Sequence, residues 1–294
     1  MAIILDGRKI SNEIKEELKA KTLWLKEQKK IVPCLALLLV GDNPSSQIYV
    51  ASKEKACKEI GFKSIVIRLP QDASESEVLS VVKIWANDKE IHGILVQLPL
   101  PKHINENNVI MAIPPAKDVD GFHPESMGRL VIGLPGFVPC TPAGIIELIK
   151  RYDIETKGKH VVVVSRSNIV GKPIANLLYQ KSNYANSIVT ICHTAARDLS
   201  YFTKQADILI AAMGVPKAIR AKDVKDSVVV FDVGINRIID TTKEKGYSIV
   251  GDVDFEEVAP KAFAITPVPG GVGLMTIAML MNNTFIAANN FNSM

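Results

Sequence analysis

Tyr49 and Lys53, in the stretch QIYVASKEKAC, stand four residues apart on a segment whose pattern predicts a helix. That spacing puts both side chains on one face, a turn apart. A phenol beside a lysine amine is a candidate proton-transfer pair, because a desolvated amine gives up its proton more readily and can then accept one. The same spacing also occurs on any solvated amphipathic helix, so the pair alone leaves both readings open. A second stretch with chemical potential is SRSNIVGKP, residues 165–173, directly after the all-valine run at 161–164. A strand that turns through small residues into a helix N-terminus offers amide N–H groups and the positive end of a helix dipole to a pyrophosphate.

Ser165, Ser167 and Gly171 occupy spacings resembling a dinucleotide-binding turn, although GxGxxG itself is absent. An ordinary strand–helix loop would look the same. In NAD-binding folds an acidic residue typically ends the second strand and holds the ribose hydroxyls. Here SIVTIC runs into His193 and Thr194, with Arg197 nearby and Arg166 in the first turn. The arginines suit a 2′-phosphate, so NADP is the expected cofactor. Tyrosine and lysine at this spacing also mark the short-chain dehydrogenases. There the pair follows the dinucleotide turn within one domain, whereas here it precedes the turn by more than a hundred residues, and that reading fails on order.

Asp118 and Asp120 in KDVDG lack the further ligands and the glutamate of a calcium loop. The five histidines, at 92, 103, 123, 160 and 193, form no ligand-spaced cluster, so no metal is expected. Cys34, Cys57, Cys140 and Cys192 form no CxxC pair and read as buried, reduced thiols of a cytoplasmic protein.

The elements that must position these groups alternate along the chain. An amphipathic helix over 10–29 precedes the buried strand CLALLLV. A helix from about Pro44 follows, with Asp42 or Asn43 as cap and Gly61 as its stop. SIVIRL, a helix opened by SESE, and HGILVQ come next. After the irregular stretch 113–150, which includes the helix PAGIIELIKRY, a second series runs through HVVVVS, a helix from about Val170, SIVTICH, ADILIAAMG and SVVVFDVG. This alternation predicts parallel sheets covered on both faces, in two α/β layers. The 294 residues, 47% hydrophobic and 22% charged, suit a packed globular protein. A net charge of +4 is too small for a nucleic-acid footprint, and the apolar runs are read as too short for a membrane span.

Four stretches in order carry a more specific signal: QIYVASKEKAC, VQLPLP, PAKDVDGF with the later PCTP, and SRSNIVGKP with TPVPGGVGLMT. Together they resemble the bifunctional methylenetetrahydrofolate dehydrogenase–methenyltetrahydrofolate cyclohydrolases of one-carbon metabolism, from about residue 5 to about residue 285. The resemblance implies a catalytic α/β domain over residues 1–139, completed by a C-terminal helix over 274–294, and a Rossmann-type NADP-binding domain over 140–273. It implies a folate cleft between them and a homodimer. It makes Lys53 the central group of the cyclohydrolase step, Tyr49 a wall of the folate site, Gln97 a hydrogen-bond partner of Lys53, and Asp120 the carboxylate on the pterin. Asp118 would support its loop. Val96, Leu98, Pro269, Gly270 and Gly271 join the substrate contacts, and Ile235 the nicotinamide side of a cofactor site that also includes Ser165, Arg166, Ser167, Gly171 and Thr194.

The chain departs from the family pattern at Ser165, usually glycine, and Leu274, usually proline. The first is expected to weaken or reshape cofactor binding and the second to loosen the last loop. An enzyme keeping one activity, or a folate- or nucleotide-binding protein without turnover, are the rival readings. The intact set Tyr49, Lys53, Gln97 and Asp120 argues against a pure binder.

Overall fold

A computed structural model describes residues 2–243 and 246–290. Met1 and residues 291–294, with which the sequence expectation begins the chain and ends its last helix, lie outside the described residues. Strand β1 (Ile3–Ile4) and helix α1 (Gly7–Lys29) come first, followed by β2 (Cys34–Val40), α2 (Pro44–Ile60), β3 (Lys63–Leu69), α3 (Glu75–Asn87) and β4 (Gly93–Val96). Helices α4 (Glu106–Ala112), α5 (Pro124–Val131) and α6 (Cys140–Arg151) lead into β5 (His160–Val164), α7 (Gly171–Tyr179), β6 (Ile188–Cys192), α8 (Leu199–Thr203), β7 (Ile208–Ala211) and β8 (Val229–Asp232). The chain closes with β9 (Asn236–Ile239), β10 (Tyr247–Val250), α9 (Phe255–Val258), β11 (Ala264–Ile265) and α10 (Val272–Asn290).

Two compact units result. One comprises Asn12–Cys140 and the chain from Ile277 onward. Its sheet is parallel, in the order β3-β2-β4. Every residue of the central strand β2 is buried, as the continuous apolar run CLALLLV requires of a strand covered on both faces. Helix α2 begins where its sequence dictates. Asn43 Oδ1 accepts from the N–H groups of Ser45 (3.0 Å) and Ser46 (3.1 Å), Pro44 opens the first turn, and Gly61 ends the helix at φ 83°.

Helix α10 corrects one expectation. It is long and apolar enough, by length and composition, to cross a membrane, yet 56% of that window is buried inside the protein. Leu280, Met281, Thr284 and Ala288 are buried. Asn283 Nδ2 donates to the carbonyls of Val119 (2.9 Å) and Val138 (3.1 Å), bonds that fix a core helix.

The other unit comprises the chain up to Ser11 and Thr141–Thr276. Its six strands are all parallel, in the order β1-β11-β8-β7-β5-β6. Residues 2–11 group with this unit, where Ile3 and Ile4 pair with Ala264 and Ile265. Val161 to Val164 of β5 are fully buried. Burial of each such side chain is worth roughly 1.5–3 kcal/mol before entropy is counted. β6 and β7 flank β5 on opposite sides, so the strand order reverses at the end of β5. Ligands of open α/β sheets bind outside the carboxyl ends of strands at such a reversal.

Candidate active site

Lys53 lies on the buried stripe of α2, in phase with Ser46, Val50, Cys57 and Ile60, and is 8% exposed. A solvated lysine would lie on the opposite face. Its Nζ donates to Gln97 Oε1 at 2.9 Å. Gln97 directly follows β4, and its N–H extends the ladder to the Leu38 carbonyl at 2.8 Å. Gln97 Nε2 donates to the Leu98 carbonyl at 2.7 Å, which leaves Oε1 facing Lys53. Burial pushes the Lys53 amine below its ordinary value, while the Asp120 carboxylate and, less strongly, Cys140 pull it back.

Asp120 is held on a loop tied at both sides. Before it, the buried Lys117 donates Nζ to the carbonyls of Trp85 (3.0 Å) and Asp88 (2.6 Å). Asp118 accepts from the N–H groups of Phe122 (3.1 Å) and His123 (2.8 Å) and from Ser126 Oγ (2.7 Å), so it does support the loop. Burial raises its carboxyl to about 6 against these bonds. Burial also raises the Asp120 carboxyl, opposed by Lys53 and by a hydrogen bond from the Cys140 thiol. Lys53, Gln97 and Asp120 thus come together as the sequence proposes, with Cys140 added. That thiol is pushed well above its ordinary value by burial and by Asp120. Sequence spacing holds no sign of this neighbour, although the residue lies in the PCTP stretch.

Tyr49 is 36% exposed, one turn before Lys53. Val96 is the buried last residue of β4, and Leu98 is half-buried ahead of a cis bond to Pro99. Two histidines serve structure: His92 Nδ1 accepts from the Cys34 N–H, and His123 Nδ1 caps α5 at Glu125. Among the described residues no three of His, Cys, Asp and Glu gather as metal ligands.

In the other unit the turn between β5 and α7 is wired through its serines. Ser167 Oγ accepts from the N–H groups of Val170 (3.2 Å) and Gly171 (3.1 Å). Ser165, 5% exposed, donates its hydroxyl to Ser167 Oγ at 3.2 Å. The departure from glycine is therefore absorbed into the turn's own hydrogen bonding. A Cβ at Gly171 would come within 2.6 Å of the Ser165 carbonyl, so close approach of helix and strand requires glycine there. Val164 pairs with Cys192, which sets Ser165 and His193 at neighbouring strand ends. A hollow beyond β6 is lined by Cys192, His193, Ala196, Arg197 and Asp198, next to the exposed Thr194. Asp198 caps α8 through the Tyr201 N–H (3.1 Å). Arg166 and Arg197 are exposed, and this donor set fits a phosphorylated dinucleotide.

Ile235 follows β8 and is 48% exposed. Pro269, Gly270 and Gly271 form the loop into α10. The Gly270 carbonyl accepts from the Arg8 N–H (3.0 Å) and that of Gly271 from the Leu274 N–H (3.3 Å). A proline at 274 would have no N–H for this second bond.

Comparison with known proteins agrees with this geometry. Residues 5–120 match the family model "Tetrahydrofolate dehydrogenase/cyclohydrolase, catalytic domain", and residues 139–292 match its "NAD(P)-binding domain". The chain belongs to the tetrahydrofolate dehydrogenase/cyclohydrolase family. It is 56% identical over 291 residues to the bifunctional protein FolD of Chloroherpeton thalassium, covering 98% of this chain and 99% of that protein. The crystal structure of FolD from Campylobacter jejuni superposes with a TM-score of 0.93 at 50% identity, covering 99% of both chains. The Trypanosoma brucei enzyme, complexed with NADP cofactor and inhibitor, gives 0.93 at 35% identity over 98% of each chain. The family's catalytic-domain match spans Tyr49, Lys53, Val96 to Leu98 and Asp120. Its NAD(P)-binding match spans Ser165, Arg166, Ser167, Gly171, Thr194, Ile235 and Pro269 to Gly271.

Proposed function

We propose that this chain oxidises 5,10-methylenetetrahydrofolate to the 5,10-methenyl cation with NADP, and hydrolyses that cation to 10-formyltetrahydrofolate. The carrying observation is Lys53: a lysine buried on a helix, bonded to Gln97 at 2.9 Å and sharing its surroundings with Asp120. Bound NADP supplies the acceptor for the hydride. The turn from Ser165 through Gly171 would hold its pyrophosphate, Arg166 and Arg197 would take the 2′-phosphate beside Thr194, and Ile235 would pack against the nicotinamide.

Asp120 accepts paired N–H bonds from the aminopyrimidinone edge of the folate, with Tyr49, Val96 and Leu98 as further substrate contacts. Lys53 in its amine form takes the proton that water loses on attacking the methenyl carbon. Gln97 Oε1 receives the resulting ammonium N–H and Asp120 offsets its charge. The hydroxy adduct then collapses to the formyl group as its C–N5 bond breaks, the adduct's O–H proton passing to N5, and the proton held by Lys53 returns to solvent. Burial lowers the proton affinity of Lys53, which favours the amine form that this step uses.

The reading extends to domain roles, with catalysis over 1–139 and the C-terminal helix, and NADP binding over 140–273. It includes a cytoplasmic homodimer acting on tetrahydrofolate one-carbon derivatives without nucleic-acid or membrane partners. Four free, buried cysteines support the cytoplasmic placement, and a charge of +4 supports the reading without nucleic acid.

The test is to supply methylenetetrahydrofolate and NADP and follow NADPH together with methenyl. NADPH with little methenyl is expected. NADPH with methenyl accumulating would leave a dehydrogenase with an idle Lys53. Neither NADPH formation nor hydrolysis of supplied methenyl above the buffer rate would end the enzyme reading.

A further inference from the structure

Two carboxylates outside the proposed catalytic set are buried together at the carboxyl ends of β7 and β8. Asp232, the last residue of β8, is 4% exposed, and Asp252, just after β10, is 0% exposed. Asp232 Oδ1 accepts from the N–H groups of Gly234 (3.0 Å) and Asp252 (2.9 Å), and its Oδ2 from that of Val253 (2.9 Å). Asp252 Oδ2 accepts from the N–H groups of Met213 (2.6 Å) and Gly214 (2.9 Å), and its Oδ1 from Asn236 Nδ2 (2.8 Å). Among the described residues no lysine or arginine forms an ion pair with either.

Three segments, following β7, β8 and β10, therefore converge on two carboxylates. Gly234 passes so close to Asp252 Oδ1 that a Cβ there would collide with it. Ile235 lies between Gly234 and Asn236, each bonded to one of the two acids. An apolar side chain is thus held out, 48% exposed, by backbone anchored on both flanks. Such investment in buried charge is costly unless the geometry it fixes matters.

We propose that Asp232 and Asp252 are positioning residues of the dehydrogenase step, which fix the Met213–Gly214 turn and Ile235, the residue that the reading above sets against the nicotinamide. The inference rests on the dehydrogenase reading above. A displacement of about 1 Å at a reacting centre can cost about 100-fold in rate.

The test is a polarity swap. Asp252→Asn keeps an oxygen for Met213 and Gly214 but turns an amide N–H₂ toward the Asn236 N–H₂. Combining it with Asn236→Asp restores one donor–acceptor pair in the reverse sense. The single variant should lower dehydrogenase kcat by about 10- to 100-fold and raise KM for NADP. Hydrolysis of supplied methenyltetrahydrofolate should hold, and the double variant should recover most of the loss. Unchanged dehydrogenase kinetics, a parallel fall of both activities, or no recovery in a folded double variant would overturn the proposal. If Asp252→Asn does not fold, Asn236→Ala must show the same split between activities, and equal kinetics to wild type would overturn it. A wild-type chain that forms no NADPH removes the dehydrogenase reading itself, and this inference with it.

Discussion

The two units each bury charge, and they handle it in opposite ways. Asp232 and Asp252 are surrounded by N–H donors from three segments of the chain. Lys53 is given one hydrogen-bond partner among the described residues, Gln97, and an acid whose own carboxyl is raised by burial. Full coordination holds backbone in place, whereas sparse coordination leaves a group free to exchange a proton. The contrast separates a reagent from a brace.

The largest expected effect breaks the reagent. Lys53→Met should reduce cyclohydrolase turnover by at least about 100-fold while folate binding persists, read by methenyl decay and by equilibrium titration with a folate. Lys53→Arg should fail similarly, since a guanidinium does not release its proton near neutral pH. Cyclohydrolase activity surviving in either would remove Lys53 as the base. Next in size, Gln97→Glu sets a carboxylate at the Oε1 position that now accepts the Lys53 N–H at 2.9 Å. The new charge favours the ammonium, so the rising limb of the cyclohydrolase pH profile should move to higher pH by about one unit or more. An unmoved limb would show that another group titrates there.

On the bracing side, Ser126→Ala removes one of the bonds to Asp118 and should cost about 1–2 kcal/mol in urea unfolding. No change would mean that the Asp120 loop does not depend on it. The smallest effect is a matter of sign. Asp118 at about 6 and Asp232 at about 7 both exceed the ordinary 3.8, so between those limits the folded chain binds more protons than the unfolded one. Their contribution to stability is full below pH 3.8 and is lost as pH rises through 6 and 7. Carboxyl NMR of ¹³C-aspartate protein should show two midpoints in that range, and midpoints below 4 for all aspartates would contradict it.

Much of this was legible in the sequence where the signal is local. CLALLLV and HVVVV announce buried strands by uninterrupted apolar runs, and Asn43, Pro44 and Gly61 bracket α2 by their cap chemistry. The hairpin of β9 and β10 was not legible. Its strands alternate polar and apolar residues weakly, and it is steadied in part by Arg237 over the Tyr247 ring at 4.7 Å. The two-residue strands β1 and β11 are too short to leave a pattern and exist because a long sheet offers them an edge. At the site, Lys53 and Gln97 were readable through resemblance. Cys140 beside Asp120, and Asp232 beside Asp252, are tertiary neighbours twenty residues apart for which no periodicity exists.

The parallel pairing of Ile3 with Ala264 has a consequence for how the protein is made. A ribosome releases the first strand of that pair long before the second, on the order of tens of seconds at typical elongation rates. The other unit likewise waits for the chain beyond Ile277. A product terminated before Ala264 therefore lacks the strand that β1 pairs with, and it also lacks α10, whose Leu280, Met281, Thr284 and Ala288 are buried.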